Sequence, residues 1–222
     1  MDDYLTETEQ WEWIKGQVRE NAPAVILTVA VMLAGIAGWR WWQQRQDSER
    51  LQAGAGYMQM VQALERGDHS QAMLALGQLE REHAKSPYTD QARLLAARLY
   101  VEGNEVDKAA AELTAVIEHS QDRELATVAR ERLARVQIAQ GKPDAALATL
   151  AGADVGAFAG RFHEVRGDAY FAKGDKAAAL AEYRSAKAGG SGGNTPLLDL
   201  KIADLTPEGA GNSTSTPAAA TK

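Results

Sequence analysis

Four histidines, His69, His83, His119 and His163, are the side chains in this 222-residue sequence best suited to acid–base or metal chemistry near neutral pH. His163 and Glu164 begin like the His-Glu-x-x-His helix of a zinc protease, in which two imidazoles four residues apart share one helix face. Gly167 occupies the place of the second imidazole, so the metal site fails and His163 reads as a helix-surface or packing residue. The glycine run 189–193 is no phosphate loop, because it follows a helical pattern rather than a strand and lacks a closing Gly-Lys-Ser/Thr. Asn212, Ser213 and Thr214 match a glycosylation acceptor in a Ser/Thr-rich tail. There is no cysteine, which excludes disulfides, thiolate catalysis and cysteine-bound metal. Paired carboxylates occur only as helix-surface charges. The residues therefore point to no catalytic constellation, no metal and no cofactor, and the chain is expected not to be an enzyme.

The elements that would carry any other function start with residues 22–42. From Ala22 to Trp39 no side chain is charged. Eighteen residues at about 1.5 Å each make a helix of roughly 27 Å, close to the hydrocarbon thickness of a bilayer. The stretch is apolar all round, unlike the striped core helix of a soluble domain. Its acidic flank, Asp2, Asp3, Glu7, Glu9, Glu12 and Glu20, is unlike the basic start of a signal peptide. All five tryptophans flank it, with Trp11 and Trp13 before it and Trp39, Trp41 and Trp42 at its far end. Indoles favour the headgroup level, so the last three are expected at the membrane interface. Ala30, Ala34 and Gly38 recur every four residues, which offers either a small face for another membrane helix or ordinary lipid-facing positions. Residues 22–42 thus read as a transmembrane helix in the lipid bilayer, preceded by a polar arm, 1–21.

Beyond residue 42 the chain has 21 Lys+Arg and 24 Asp+Glu with no basic tract, which argues against nucleic acid as a partner. Lys15 and Arg19 lie on one side of the span, and Arg40, Arg45 and Arg50 on the other. By the positive-inside count this leans weakly toward a cytoplasmic C-terminal domain.

Residues 47–188 are rich in helix formers, show no alternating strand and repeat. Gly67, Gly103, Gly141 and Gly174 each open a turn, at spacings of 36, 38 and 33 residues. Ala72, Ala109, Ala146 and Ala179 follow those turns, while Met60, Ala96, Ala134 and Gly167 precede the glycines by seven. A glycine supplies the positive φ that ends a helix, and a small residue lets the two helices of a hairpin approach closely. The fourth unit, Gly167, Tyr170, Gly174, Ala179, Tyr183 and Ala186, resembles the tetratricopeptide pattern of small, aromatic, Gly, Ala, aromatic and Ala. Met60 fills a small-residue position, and the second turn carries one extra residue before Ala109. In the third unit Leu125, Val128, Ala129, Leu133 and Val136 form one stripe, with Arg123, Arg130 and Arg135 mainly off it.

The expected architecture is all-α: a single transmembrane helix, then an α-solenoid of about four helical hairpins, with a plain helical bundle as the alternative. Thr195 and Pro196 predict an N-cap and first residue for a short capping helix, 195–205, carrying Leu197, Leu198, Leu200, Ile202 and Leu205. Residues 206–222 are Pro, Gly, Ser, Thr and Ala in the main, and are expected to be disordered.

Several runs in this order carry a resemblance: Gly38-Trp39-Arg40, Lys108-Ala109-Ala110-Ala111-Glu112-Leu113, Arg132-Leu133-Ala134-Arg135-Val136-Gln137, Lys173-Gly174-Asp175-Lys176 and Lys201-Ile202-Ala203-Asp204-Leu205. Over about residues 1–205 the chain resembles the YfgM family of bacteria, ancillary subunits of the SecYEG translocon. The resemblance implies a single-pass inner-membrane protein with a cytoplasmic N-terminus and a periplasmic repeat domain, opposite to the charge count. It also implies partners: SecYEG, the membrane-anchored chaperone PpiD, and unfolded or newly translocated proteins passed on to periplasmic chaperones. An anchored scaffold for cell-envelope assembly or division is the other reading of the same parts, and a cytoplasmic regulatory adaptor would need the opposite topology.

Overall fold

The computed structural model describes residues 7–152, 155–189 and 196–206. The expectations for residues 1–6, for Thr195, for most of the glycine run and for the tail from residue 207, with its Asn212 acceptor, lie outside them.

The described residues form nine α-helices and no strand. Helix α1 is Glu7–Glu65, followed by α2 His69–Glu82, α3 Pro87–Glu102, α4 Val106–His119, α5 Arg123–Ala139 and α6 Pro143–Leu150. A 3-10 turn, Gly156–Phe158, leads into α7 Ala159–Ala172, then α8 Lys176–Ala188 and α9 Pro196–Leu205. The polar arm from Glu7, the apolar stretch and the first repeat helix fall within one helical element, where the sequence suggested three pieces. Gln43, Gln44, Arg45 and Gln46 are helix formers without a cap or breaker, so nothing between Trp42 and Asp47 stops the helix. Residues up to Gln52 form one compact unit and residues from Ala53 a second.

In the first unit an 18-residue window starting within Ala22–Glu65 has mean hydropathy 2.0, with none of it buried. A helix in a soluble core would bury such a window, so length, composition and exposure together make this helix able to cross a membrane. Pro23 lies inside the helix, where it can donate no backbone hydrogen bond. Thr28 Oγ1 donates to the Ala24 carbonyl at 2.8 Å, so its hydroxyl is satisfied within the helix.

The second unit is built from hairpins. Each closes on the same pair of backbone bonds. The N–H of Gly67, Asn104, Gly141 and Gly174 donates three residues back, at 2.9, 3.0, 2.9 and 2.9 Å. The following N–H, of Asp68, Glu105, Lys142 and Asp175, donates five residues back, at 2.8, 2.7, 2.8 and 3.0 Å. This is the Schellman termination, and it requires a left-handed residue. Gly67, Gly141 and Gly174 supply it with φ of 74°, 72° and 82°. In the second turn Gly103 does not: its φ is −81°, it caps α3, and Asn104 takes the left-handed position at φ 59°. Asparagine tolerates that region better than most residues. With Asn104 as the aligned position, each downstream alanine follows five residues later, and the extra residue of the second turn disappears.

Four apolar clusters run along the unit. Ala53, Met60 and Ala63 pack with Ala72, Ala75, Leu76 and Leu79 of α2 and with Ala92 and Ala96 of α3. Met60 is fully buried, its bulk accommodated among alanines. A second cluster joins α3, α4 and α5, a third joins α5, α6 and α7, and a fourth joins α8 to Leu198 of α9. The first three clusters share α3 and α5, and Tyr170 of α7 packs against the fourth, as expected where each hairpin covers the exposed face of its neighbour.

The tightest approach is at Gly167, where an added Cβ would overlap the Tyr183 ring. Gly167→Ala is therefore expected to cost about 1–3 kcal/mol by overpacking. Because solenoid stability is local, native-state hydrogen exchange should show that loss in α7 and α8 while α2 stays protected; equal loss in all helices would refute the local coupling.

Candidate functional site

The sequence-picked repeat residues come together at the helix pairs. Ala96, Ala109, Ala134, Ala146, Ala179 and Ala186 are 0% exposed, and Tyr183 is 3% exposed. Gly167 is buried, Tyr170 is half-buried against the fourth cluster, and Gly141 and Gly174 sit in the left-handed turns. Gly103 is exposed at the end of α3, beside the turn residue rather than in its place. Ala30, Ala34 and Gly38 are exposed on α1, and a Cβ at Gly38 would meet nothing. Trp39, Trp41 and Trp42 are also exposed, with the Trp39 and Trp42 rings 5.5 Å apart and the Arg45 guanidinium 5.8 Å from the Trp41 ring. Such a cluster of indoles and guanidinium suits a headgroup layer.

His163 lies beside Glu182, which also meets Arg166. Its Nδ1 lies 2.7 Å from Glu182 Oε2, and Arg166 Nη2 lies 2.8 Å from Glu182 Oε1. Among the described residues no group of three His, Asp or Glu is placed to hold a metal ion.

Six residues before the last three left-handed residues the first helices of the hairpins carry Arg98, Arg135 and Asp168, and Lys201 of α9 stands 33 residues after Asp168. Arg98 pairs with Glu102 at 2.8 Å and Arg135 with Glu131 at 2.5 Å, each within its own helix. Burial opposes the charge of the Arg135 guanidinium, but Glu131, with Glu164 and Asp168 further off, outweighs it and raises the pKa. Lys201 Nζ bridges two helices, 2.9 Å from Glu164 Oε1 and 2.7 Å from Asp168 Oδ1, and 5.4 Å from the centre of the Tyr183 ring. Tyr183 donates its hydroxyl to Asp168 Oδ1 at 2.8 Å, and burial followed by that bond pushes its pKa up. Glu164 is only 7% exposed, so Lys201 supplies the charge that a buried carboxylate needs. These contacts pin α9 to the last hairpin, together with Leu198, which is 0% exposed. Leu197 and Leu200 of α9 remain exposed.

Where α3, α4 and α5 meet, a groove of about 350 Å³ stays open. Its walls are Ala97, Val101, Val106, Leu113 and Val136, and Arg98, Arg132 and Arg135 border it. In the sequence Arg132 stands out only as the start of the run Arg132–Gln137, with no site role attached to it. The signal was available once the turns are aligned on Asn104: nine residues before each left-handed residue stand Met58, Leu95, Arg132 and Val165.

The geometry defines a helical-hairpin repeat protein with an apolar N-terminal helix of membrane-spanning length. Residues 15–207 match the tetratricopeptide repeat-like domain family. The chain is 31% identical over 210 residues to the ancillary SecYEG translocon subunit of Escherichia coli, covering 93% of this chain and 100% of the relative. It is 28% identical over 201 residues to the protein of that name from Haemophilus influenzae, covering 90% and 98%. For the one from Aggregatibacter actinomycetemcomitans it is 27% identical over the same lengths. No solved structure matches the chain significantly. The chain belongs to the tetratricopeptide repeat-like YfgM family, that of the ancillary SecYEG translocon subunits.

Lys201→Met would leave Glu164 buried without its cation, at a cost of about 1–3 kcal/mol. Amides of α9 should then exchange faster by hydrogen-exchange mass spectrometry, and unchanged exchange would show that the apolar contacts and the Lys187–Asp199 pair hold the helix without Lys201. Glu112 gives a test in pH. Burial, then the Glu80 carboxylate, raise its pKa above the ordinary 4.5 despite Arg93 nearby. The folded state thus holds this proton more tightly than the unfolded chain, so its stabilising effect is full below the unfolded pKa and is lost as pH rises through the folded one. Glu112→Gln should raise the Tm by about 1–2 °C at neutral pH and leave it unchanged near pH 4.

Proposed function

We infer that this chain is a non-enzymatic, ancillary subunit of a SecYEG translocon. Its apolar helix holds it in the bacterial inner membrane as a single-pass protein. The N-terminus lies in the cytoplasm and the repeat domain in the periplasm, where the repeats bind emerging proteins and link them to periplasmic chaperones, among them membrane-anchored PpiD. The observation that carries this reading is the extent of likeness to a translocon subunit, which takes in anchor and repeats together: 93% of this chain and the whole of the E. coli relative. Two features of the structure support it. The span carries an unburied apolar surface suited to lipid or to another membrane helix, including the Ala30, Ala34, Gly38 face. The repeat unit leaves an apolar groove open beside three arginines, which suits a binding module.

Photo-crosslinking from the two parts tests the assignment. A benzophenone side chain at Ala34 is expected to capture SecY, and one at Val101 to capture PpiD or a translocating chain. Recovery of peptidoglycan enzymes or outer-membrane assembly proteins instead would favour the envelope scaffold. Protease added to intact spheroplasts should remove the repeat domain; its survival would reverse the topology.

A further inference from the structure

The groove between α3, α4 and α5 exists because one residue breaks the pattern that closes the other junctions. Nine residues before the left-handed position, α3, α5 and α7 each present a side chain to the preceding hairpin, whereas Met58 of α1, with no hairpin before it in this unit, is 51% exposed. Leu95 packs against the first cluster, and Val165 is 0% exposed in the third. Leu198 of α9, 33 residues after Val165, is 0% exposed in the fourth. At the α3–α5 junction the residue is Arg132, which is exposed and borders the opening. An aliphatic side chain there would fill space that now stands empty over Ala97, Leu113 and Val136. Val101 of the groove wall is 46% exposed.

Arg132 also differs from its neighbours in its partners. Arg98 and Arg135 each have a carboxylate on their own helix, at 2.8 and 2.5 Å. Arg132 Nη1 donates to the Leu94 carbonyl at 3.5 Å, a long bond, and among the described residues no carboxylate pairs with it. A guanidinium held by one long bond and paired with no carboxylate, beside an apolar hollow, is complementary to an apolar side chain next to a carboxylate.

We propose that this groove is a specificity site for peptide segments in which a bulky aliphatic residue is followed directly by an acidic one. The aliphatic side chain fills the hollow, as Val165 and Leu198 fill the equivalent places, and the carboxylate pairs with Arg132. This rests on the reading of the repeat domain as a binding module and adds what it selects.

The test uses the purified full-length chain in detergent and two fluorescein-labelled heptapeptides, Gly-Ser-Leu-Leu-Asp-Gly-Ser and its Asn counterpart, followed by fluorescence anisotropy. At about 50 mM NaCl the Asp peptide should bind about threefold more tightly, and the preference should shrink at about 500 mM as the charge is screened. Arg132→Gln should abolish the preference while the far-UV circular dichroism stays unchanged. Arg132→Leu should close the groove, weaken both peptides at least tenfold and raise the Tm. Equal affinity for the two peptides overturns the proposal, as does a preference that survives Arg132→Gln. So does no binding of either up to about 1 mM. A dimer of the chain that Arg132→Gln dissociates would show a second copy as the occupant, and overturns it too. The two readings fail separately: a chain that crosslinks to SecY without discriminating the peptides loses only the groove, and one that discriminates without meeting SecY loses only the translocon.

Discussion

Every hairpin of the repeat unit closes about one residue held at positive φ. A helix must hand its last carbonyls to something, and the Schellman bonds do this only when the next residue turns left-handed. Once that residue is placed, the rest of the hairpin is set out from it by count. The small or well-accommodated residue lies seven before it and the buried alanine five after; from the second hairpin on, a charged residue lies six before and the residue facing the preceding hairpin nine before. Gly67, Gly141 and Gly174 meet the demand with no Cβ. Asn104 meets it with a polar side chain that tolerates the region.

Packing then follows from the same pitch. Small residues bring paired helices close enough for one large side chain to fill the gap, as Tyr183 does over Gly167. Where the small position holds Met60, the alanines of α2 give back the volume. Polar side chains are handled with similar economy at the end of the array. Glu164 and Asp168 face Lys201 and the Tyr183 hydroxyl, so buried carboxylates become the docking point for the capping helix. A purely apolar cap would bury as much surface but would fix its register less firmly, because ion pairs and hydrogen bonds are directional where apolar contact is not.

Much of this was legible in the residues. The all-α class, the hairpin repeat, the capping helix and the unburied span follow from periodicity, glycine spacing and a charge-free run. The second turn was not read correctly, because glycine is the stronger signal for positive φ and Gly103 stands next to the residue that adopts it. That one-residue error hid the junction position, since counting back from Gly103 lands on Leu94 in one repeat and on Arg132 in the next. The continuity of α1 through Trp42 to Asp47 was also missed: composition marks where a membrane stretch ends, but only a capping residue marks where a helix ends. Contacts such as Lys201 with Glu164 join residues far apart in the chain, and no local pattern announces them.

The groove and the anchor make sense together on energetic grounds. One aliphatic side chain in a hollow of about 350 Å³ and one exposed ion pair make only a small contact. On general scales burying a leucine contributes about 1.5–3 kcal/mol, and an exposed pair about 0–1 kcal/mol. After the cost of ordering the peptide, the affinity left is weak. Weak binding is useful to a module that must release what it holds, provided the local concentration of segments is high. Anchoring in a membrane beside the exit of a translocon would supply that concentration without any new contact, in the way a tether turns a bimolecular encounter into an intramolecular one. A tighter groove would gain affinity at the expense of release. An arginine at position 132, in a place where the neighbouring junctions use Val165 and Leu198, is the kind of substitution that keeps a repeat open at some cost to its own packing.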